Sequence, residues 1–146
     1  MSDFVTMRIG AREFGVPVMQ VRDVLRRQHL TPVPLAPRAI AGLLNLRGRI
    51  VTAIDVRTCL GLPSVASDPE TANVVVEHDG QLYALVVDSV GDVLPVDEGQ
   101  TEAVPPVLDP QWREVAAAVY PTDTGLIALL DIARLLEIVP LRRAAS

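Results

Sequence analysis

The side chains that most often carry covalent chemistry are few in this chain: one cysteine, Cys59, and two histidines, His29 and His78. Nucleophilic catalysis needs a thiol or hydroxyl beside a base that a third group orients. Cys59 falls on the apolar side of a short helical stretch with Val56 and Leu60, a setting that predicts a buried, inert thiol. His29 lies in a polar turn ahead of a proline-rich stretch and His78 beside a hairpin tip, so neither is set to serve Cys59 as a base. No Cys or His pair has the spacing of metal ligands, and Asp88 with Asp92 lacks the acid-rich, glycine-punctuated loop that calcium requires. Gly42, Gly48 and Gly61 form no phosphate-cradling loop, and there is no lysine to serve one. Asp55 and Asp131 resemble a carboxylate pair only until their settings are compared, for each precedes a short apolar helix and reads as its cap. The expectation is a protein without catalytic residues, metal or cofactor, and not an enzyme.

The elements that would hold other functions are legible in the composition. The chain has 146 residues, of which 49% are hydrophobic, so it can fill the core of one domain. Its formal charge of −5 argues against nucleic acid, which needs clustered cations to displace phosphate counterions. A single cysteine makes no internal disulfide and suits a reducing compartment. The opening Met1-Ser2-Asp3-Phe4 is unlike a secretory signal, and no apolar run is long enough for a membrane span; Leu126 to Leu130 stops at Asp131. A cytoplasmic location is expected.

The sequence repeats itself once. Val5 to Leu25 matches Val74 to Leu94 at an offset of 69, aligning Phe14 with Tyr83, Val21 with Val90 and Asp23 with Asp92. A second block, Ile50 to Leu62, matches Leu126 to Ile138 at an offset of 76, aligning Asp55 with Asp131. Two copies of one supersecondary unit follow. Each begins with a β-hairpin: Phe4 to Val18 around Gly10, and Val74 to Val87 around Asp79-Gly80. Val18, Val21, Val24 and Leu25 have helical or tightly turned spacing, a short element at most. Thr31 to Pro37 is extended by its prolines, and a second hairpin turns at Arg47-Gly48 before the helix that Asp55 caps. Asp97 to Trp112, with three prolines, reads as a loop.

These elements predict an all-β protein of two small five-stranded barrels with a few short helices, forming one domain over residues 1–146. Lobe one is expected at about 4–62, a connector at 63–73, lobe two at about 74–138 and a tail at 139–146; whether strands exchange between lobes stays open.

One comparison between the copies bears on function. Asp23 in the first half corresponds to Asp92, and Arg47 to Asp123. A charge present in one copy and reversed in the other is not required by the fold they share, which points Arg47 toward a partner.

Thr31-Pro-Val-Pro34, then Ile40-Ala-Gly42-Leu-Leu-Asn45-Leu46-Arg47-Gly48-Arg-Ile-Val51 and Ile54-Asp55, resemble the CheW domain family. The likeness extends to Val21-Arg-Asp23-Val24, to Ala84 through Val93 and to Gly125 through Asp131, and so covers about Phe4 to Ile138. It implies two SH3-like barrels with a shared core. It also implies a non-catalytic adaptor that couples methyl-accepting chemoreceptors to the histidine kinase CheA, reaching membranes only through receptors. Carried over by position, Val5, Val18, Val21 and Asp23 are expected to face the regulatory domain of CheA. Gly42, Leu46 and Arg47, with Val86 and Val90, are expected to form the groove for the chemoreceptor tip. Asp23 stands where the family usually has Glu, and Thr52 where it usually has Pro. The alternative is an SH3-like barrel that binds peptides or other proteins outside chemotaxis.

Overall fold

The computed structural model describes residues 1–64, 70–123 and 125–139. The middle of the connector, Thr124 and the tail from Pro140, with Arg142 and Arg143, lie outside the described residues. Ten strands are described: β1 (Ser2–Ile9), β2 (Arg12–Pro17), β3 (Val21–Arg26), β4 (Ile40–Leu46), β5 (Arg49–Asp55), β6 (Ala72–His78), β7 (Gln81–Val87), β8 (Ser89–Val96), β9 (Ala116–Thr122) and β10 (Gly125–Leu130). Three short helices accompany them: α1 (Val56–Cys59), α2 (Pro110–Val115) and α3 (Ile132–Ile138).

The strands form two five-stranded sheets, but the sheets do not follow the sequence halves. One runs β8-β1-β2-β10-β9 and the other β3-β6-β7-β5-β4. Each half therefore gives its first hairpin to one sheet and its next three strands to the other, and the connector at 63–73 does not divide the barrels. The registers keep the repeat. Val5 pairs with Val93 and Met7 with Val90, while their counterparts Val74 and Val76 pair with Val24 and Val21. Phe14 pairs in parallel with Ala128, and Tyr83 with Thr52. Both β1/β8 and β3/β6 carry a register shift at the same place. Thr31↔Leu43 and Glu102↔Val119 are isolated bridges that tie the chain after β3 to β4 and the chain after β8 to β9.

Alternation along the strands separates three apolar regions. Val5, Met7 and Ile9 of β1, Val74 and Val76 of β6, Leu85 and Val87 of β7, and Ala128 and Leu130 of β10 meet in one large core shared by the two sheets. The opposite faces fill the barrels: Val51, Ala53, Val75, Leu82, Ala84 and Val86 in one, Phe4, Val96, Ile127 and Leu129 in the other. Period-two patterning with both strand faces apolar is what a strand between two cores requires.

Two local expectations differ from the structure. Val18 to Leu25 has helical spacing, yet only Val18–Gln20 turns as a 3₁₀ element; Val21, Asp23 and Leu25 then alternate inward along β3. The region Asp97 to Trp112 is not all loop. Pro110 opens α2 at a position where its missing N–H costs nothing, and the helix delivers Trp112 to the shared core. There the indole meets Phe14 edge-on, with ring centroids 5.6 Å apart.

Candidate functional site

Asp55 and Asp131 are helix caps. Asp55 accepts from the Thr58 N–H and from the Ser64 hydroxyl, and Asp131 accepts from the Arg134 N–H at 3.3 Å. Cys59 is buried, and desolvation raises its thiol pKa to about 12, so it stays protonated at neutral pH. His29 is exposed, and His78 lies 3.4 Å from Asp79 at a hairpin tip. These groups do not converge on a reaction centre.

The charged residues singled out by the repeat do converge. The Arg47 guanidinium lies 3.1 Å from Asp23 Oδ2. It stands at the β4–β5 turn, where Arg47 and Gly48 both adopt positive φ (51° and 85°), as a two-residue hairpin of this hand requires. Asn45 Oδ1 accepts from the Gly48 N–H and steadies that turn. The Arg47 side chain is 79% exposed and Asp23 23%, so the pair is a surface feature. Asp23 Oδ1 also accepts from the Val24 N–H, covering a backbone donor of β3. Since β3 and β4 are the two edges of their sheet, Asp23 and Arg47 reach across the seam of that barrel. In the other barrel the corresponding residues, Asp92 and Asp123, are both acidic and exposed.

The structure sorts the expected contact residues. Val18 and Val21 are half-buried, with inner atoms against the shared core. Leu46 and Val90 are likewise half-buried. Three residues take other roles. Val5 and Val86 are only 7% and 4% exposed, the first in the shared core and the second in the barrel interior. They lie behind the expected surfaces rather than on them, because both side chains turn inward. Gly42 is buried at φ 150°, and a Cβ there would lie 2.8 Å from the Thr31 carbonyl oxygen and 2.9 Å from Leu30 Cβ. It lets the proline-rich segment approach β4. Asp23 and Arg47, assigned to different partners but expected within ion-pair reach on one face of the first barrel, are brought together there.

Two features escaped the sequence reading. Met19, next to Val18, is 84% exposed, and its carbonyl accepts from the Arg22 guanidinium at 3.1 Å. Arg57 and Asp88 make a two-pronged ion pair, Nε–Oδ1 at 2.7 Å and Nη2–Oδ2 at 2.6 Å. Asp88 Oδ2 also accepts from the Gly10 N–H at 2.9 Å. The guanidinium holds the Asp88 carboxyl below its ordinary pKa, against the opposing effect of partial burial, and the Gly10 N–H adds to the lowering. Nothing in the spacing of Gly10, Arg57 and Asp88 announces that they meet.

The CheW-like domain family matches residues 3–139. The chain belongs to that family. The Chemotaxis protein CheW of Klebsiella aerogenes is 30% identical over 140 residues, covering 92% of this chain and 81% of that protein. The CheW of Rhizobium meliloti is 27% identical over 130 residues, covering 89% of this chain and 84% of that protein. The crystal structure of the scaffolding protein CheW from Thermoanaerobacter tengcongensis superposes with a TM-score of 0.83 at 28% identity, covering 93% of this chain and 92% of that one. A CheW-like fold of two SH3-like lobes is therefore shown, and the chain is a chemotaxis scaffold of the CheW family. The Arg47 hairpin and the Asp23 edge strand are CheW-domain elements. No helix among the described residues is long and apolar enough to cross a membrane.

Proposed function

We propose that this protein is a non-catalytic, cytoplasmic adaptor that couples chemoreceptors to the histidine kinase CheA. The observation that carries the reading is the one-sided Asp23–Arg47 pair. One barrel presents an exposed guanidinium paired with a carboxylate, while the related place in the other barrel presents two carboxylates. Folding alone has no use for that difference. Val18, Val21 and Asp23 form the kinase-facing surface. Leu46 and Arg47, with Val90 of the other sheet, form the receptor-facing one, and Gly42 shapes its backbone. Val18 and Val21 offer the mixture of apolar contact and charged rim that a reversible interface uses.

The test is co-sedimentation with receptor-bearing membranes and CheA. An exposed pair contributes at most about 1 kcal/mol to stability, so Arg47→Ala should leave thermal melting nearly unchanged while reducing recruitment into the sedimenting complex. Normal recruitment with a large loss of stability would make Arg47 structural and remove it from the receptor surface.

A further inference from the structure

The two Asp-capped helices differ in what lies in front of the cap. In the second copy Arg134 folds back along α3. Its backbone N–H donates to Asp131 Oδ1 at 3.3 Å, its Nε stands 3.6 Å from Asp131 Oδ2, and its Nη1 donates to the Ala116 carbonyl at 3.1 Å. The repeat carries Asp131 to Asp55, Arg134 to Thr58 and Ala116 to Ile40. The backbone supports that alignment, because Asp55 donates its N–H to Ala39 at 2.7 Å and Asp131 donates its own to Val115 at 2.8 Å. Thr58 is too short to reach from the cap to β4. Instead Ile40, Asp55 and Thr58 line a cleft of about 590 Å³, together with Arg38, Leu62 and Ser64.

We propose that this cleft receives an arginine side chain from a partner protein, in the place that Arg134 fills in the other copy. None of its lining residues is among those assigned above to CheA or the chemoreceptor. The second copy displays the fit, since one guanidinium there joins a cap carboxylate to a strand carbonyl. Asp55 is 4% exposed, and its hydrogen bonds come from the Thr58 N–H and the Ser64 hydroxyl, not from a cation. Arg57 is near enough to feel its charge but is held by both prongs to Asp88. A carboxylate oxygen has a second lone pair to offer, and a charged fork meeting a sheltered carboxylate makes one of the stronger hydrogen-bonded contacts. Ile40 and Leu62 supply apolar surface for the methylene stem. Arg38 also lines the cleft, exposed and without an ion pair among the described residues. Its like charge requires that the arriving segment carry a carboxylate beside its arginine. A polypeptide is the occupant because a polypeptide delivers the guanidinium in the other copy.

The experiment titrates the isotope-labelled full chain with the peptide acetyl-Ala-Arg-Asp-Ala-amide and follows the backbone amide resonances of Thr58 and Gly61. A saturable shift at both is expected, and its absence overturns the proposal. With citrulline in place of the arginine, which keeps length and removes charge, binding should weaken at least about fivefold; equal binding overturns the proposal. Asparagine in place of the peptide's aspartate should weaken binding at least about twofold, and equal binding overturns the pairing with Arg38. Thr58→Arg rebuilds the arrangement of Arg134. It should melt no lower than the parent and bind the peptide at least about tenfold more weakly, whereas binding within about twofold overturns the proposal. Should that variant fail to fold, Asp55→Asn, which keeps a capping oxygen and removes the charge, should weaken binding at least about fivefold; unchanged affinity overturns the proposal. Free L-arginine binding more tightly than the peptide would make this a small-molecule site and overturn the protein partner.

Discussion

The β7–β8 and β2–β3 crossovers follow the same path in the two copies, yet the first is fastened by a part-buried Asp88 that holds Arg57 and Gly10, and the second by an exposed Arg22 that donates to the Met19 carbonyl at 3.1 Å and pairs with Glu77 at 3.2 Å. The difference teaches that duplication preserves what the shared core needs and frees the rest. Backbone register, helix caps and the alternation of apolar residues are kept in both copies. Side chains at the corners and hairpin tips diverge, and there one copy fastens its crossover with a part-buried ion pair and the other with an exposed one.

That contrast can be sharpened first in the core, where the largest effect is expected. Phe14 is fully buried against Trp112, whereas its counterpart Tyr83 is half-buried. Phe14→Ala should cost about 3–5 kcal/mol in urea unfolding. Tyr83→Ala should cost about 1–2 kcal/mol, because less apolar area leaves water there. Equal costs would mean that the two hairpins are energetically interchangeable after all.

The crossovers come next. Arg57→Ala strands Asp88 among groups only partly open to solvent, and should cost about 2–3 kcal/mol, below the range for wholly buried pairs. Met19→Ala should change stability by less than about 0.5 kcal/mol. The pH dependence gives an independent check. Because the folded Asp88 has a lowered pKa, its stabilisation is complete above the ordinary aspartate value of about 3.9 and is lost as pH falls through the lower folded value. The stability advantage of the parent over Asp88→Asn should therefore be full at pH 6 and shrink as the pH falls below about 4. An advantage unchanged across that range would show that the ion pair contributes nothing.

The smallest effect concerns the barrel interiors. Phe4 fills one, and its counterpart Asn73 turns into the other with a buried Oδ1 that has no hydrogen-bond partner. Its Nδ2 reaches the Arg26 carbonyl at 3.4 Å, and that carbonyl also accepts from Gln28. Asn73→Leu should raise stability by about 1 kcal/mol, read as a higher denaturation midpoint. A lower midpoint would mean that this interior has no room for the larger side chain.

Much of this was legible in the sequence because it is local or periodic. The hairpin at Asp79-Gly80, the caps at Asp55 and Asp131, and the repeat itself are written in turn chemistry and spacing. The approach of Asp23 to Arg47 was visible only through the charge reversal between copies. Other features had no local signature. The pairing of Arg57 with Asp88 joins residues 31 positions apart through the closure of two sheets. Helix α2 was hidden by prolines that read as loop, although Pro110 following Asp109 is itself a helix-start signal. Val5 and Val86 were placed on surfaces because position within a family carries no information about which face of a strand is buried, whereas the two-faced cores decide that directly.

The exchange of hairpins between sheets also bears on how the chain reaches this state. Strand β1 lies against β8, which follows it by some ninety residues, and β3 must wait for β6. During synthesis neither barrel can close while only the first half has left the ribosome, so that half emerges with unpaired β-edges and no completed core to bury them. Sequence-distant pairing of this kind slows folding by delaying the contacts that repay chain closure. A chain halted anywhere before β7 therefore has no finished lobe to present, and the lobe that holds β1 and β2 stays open until β10 is made.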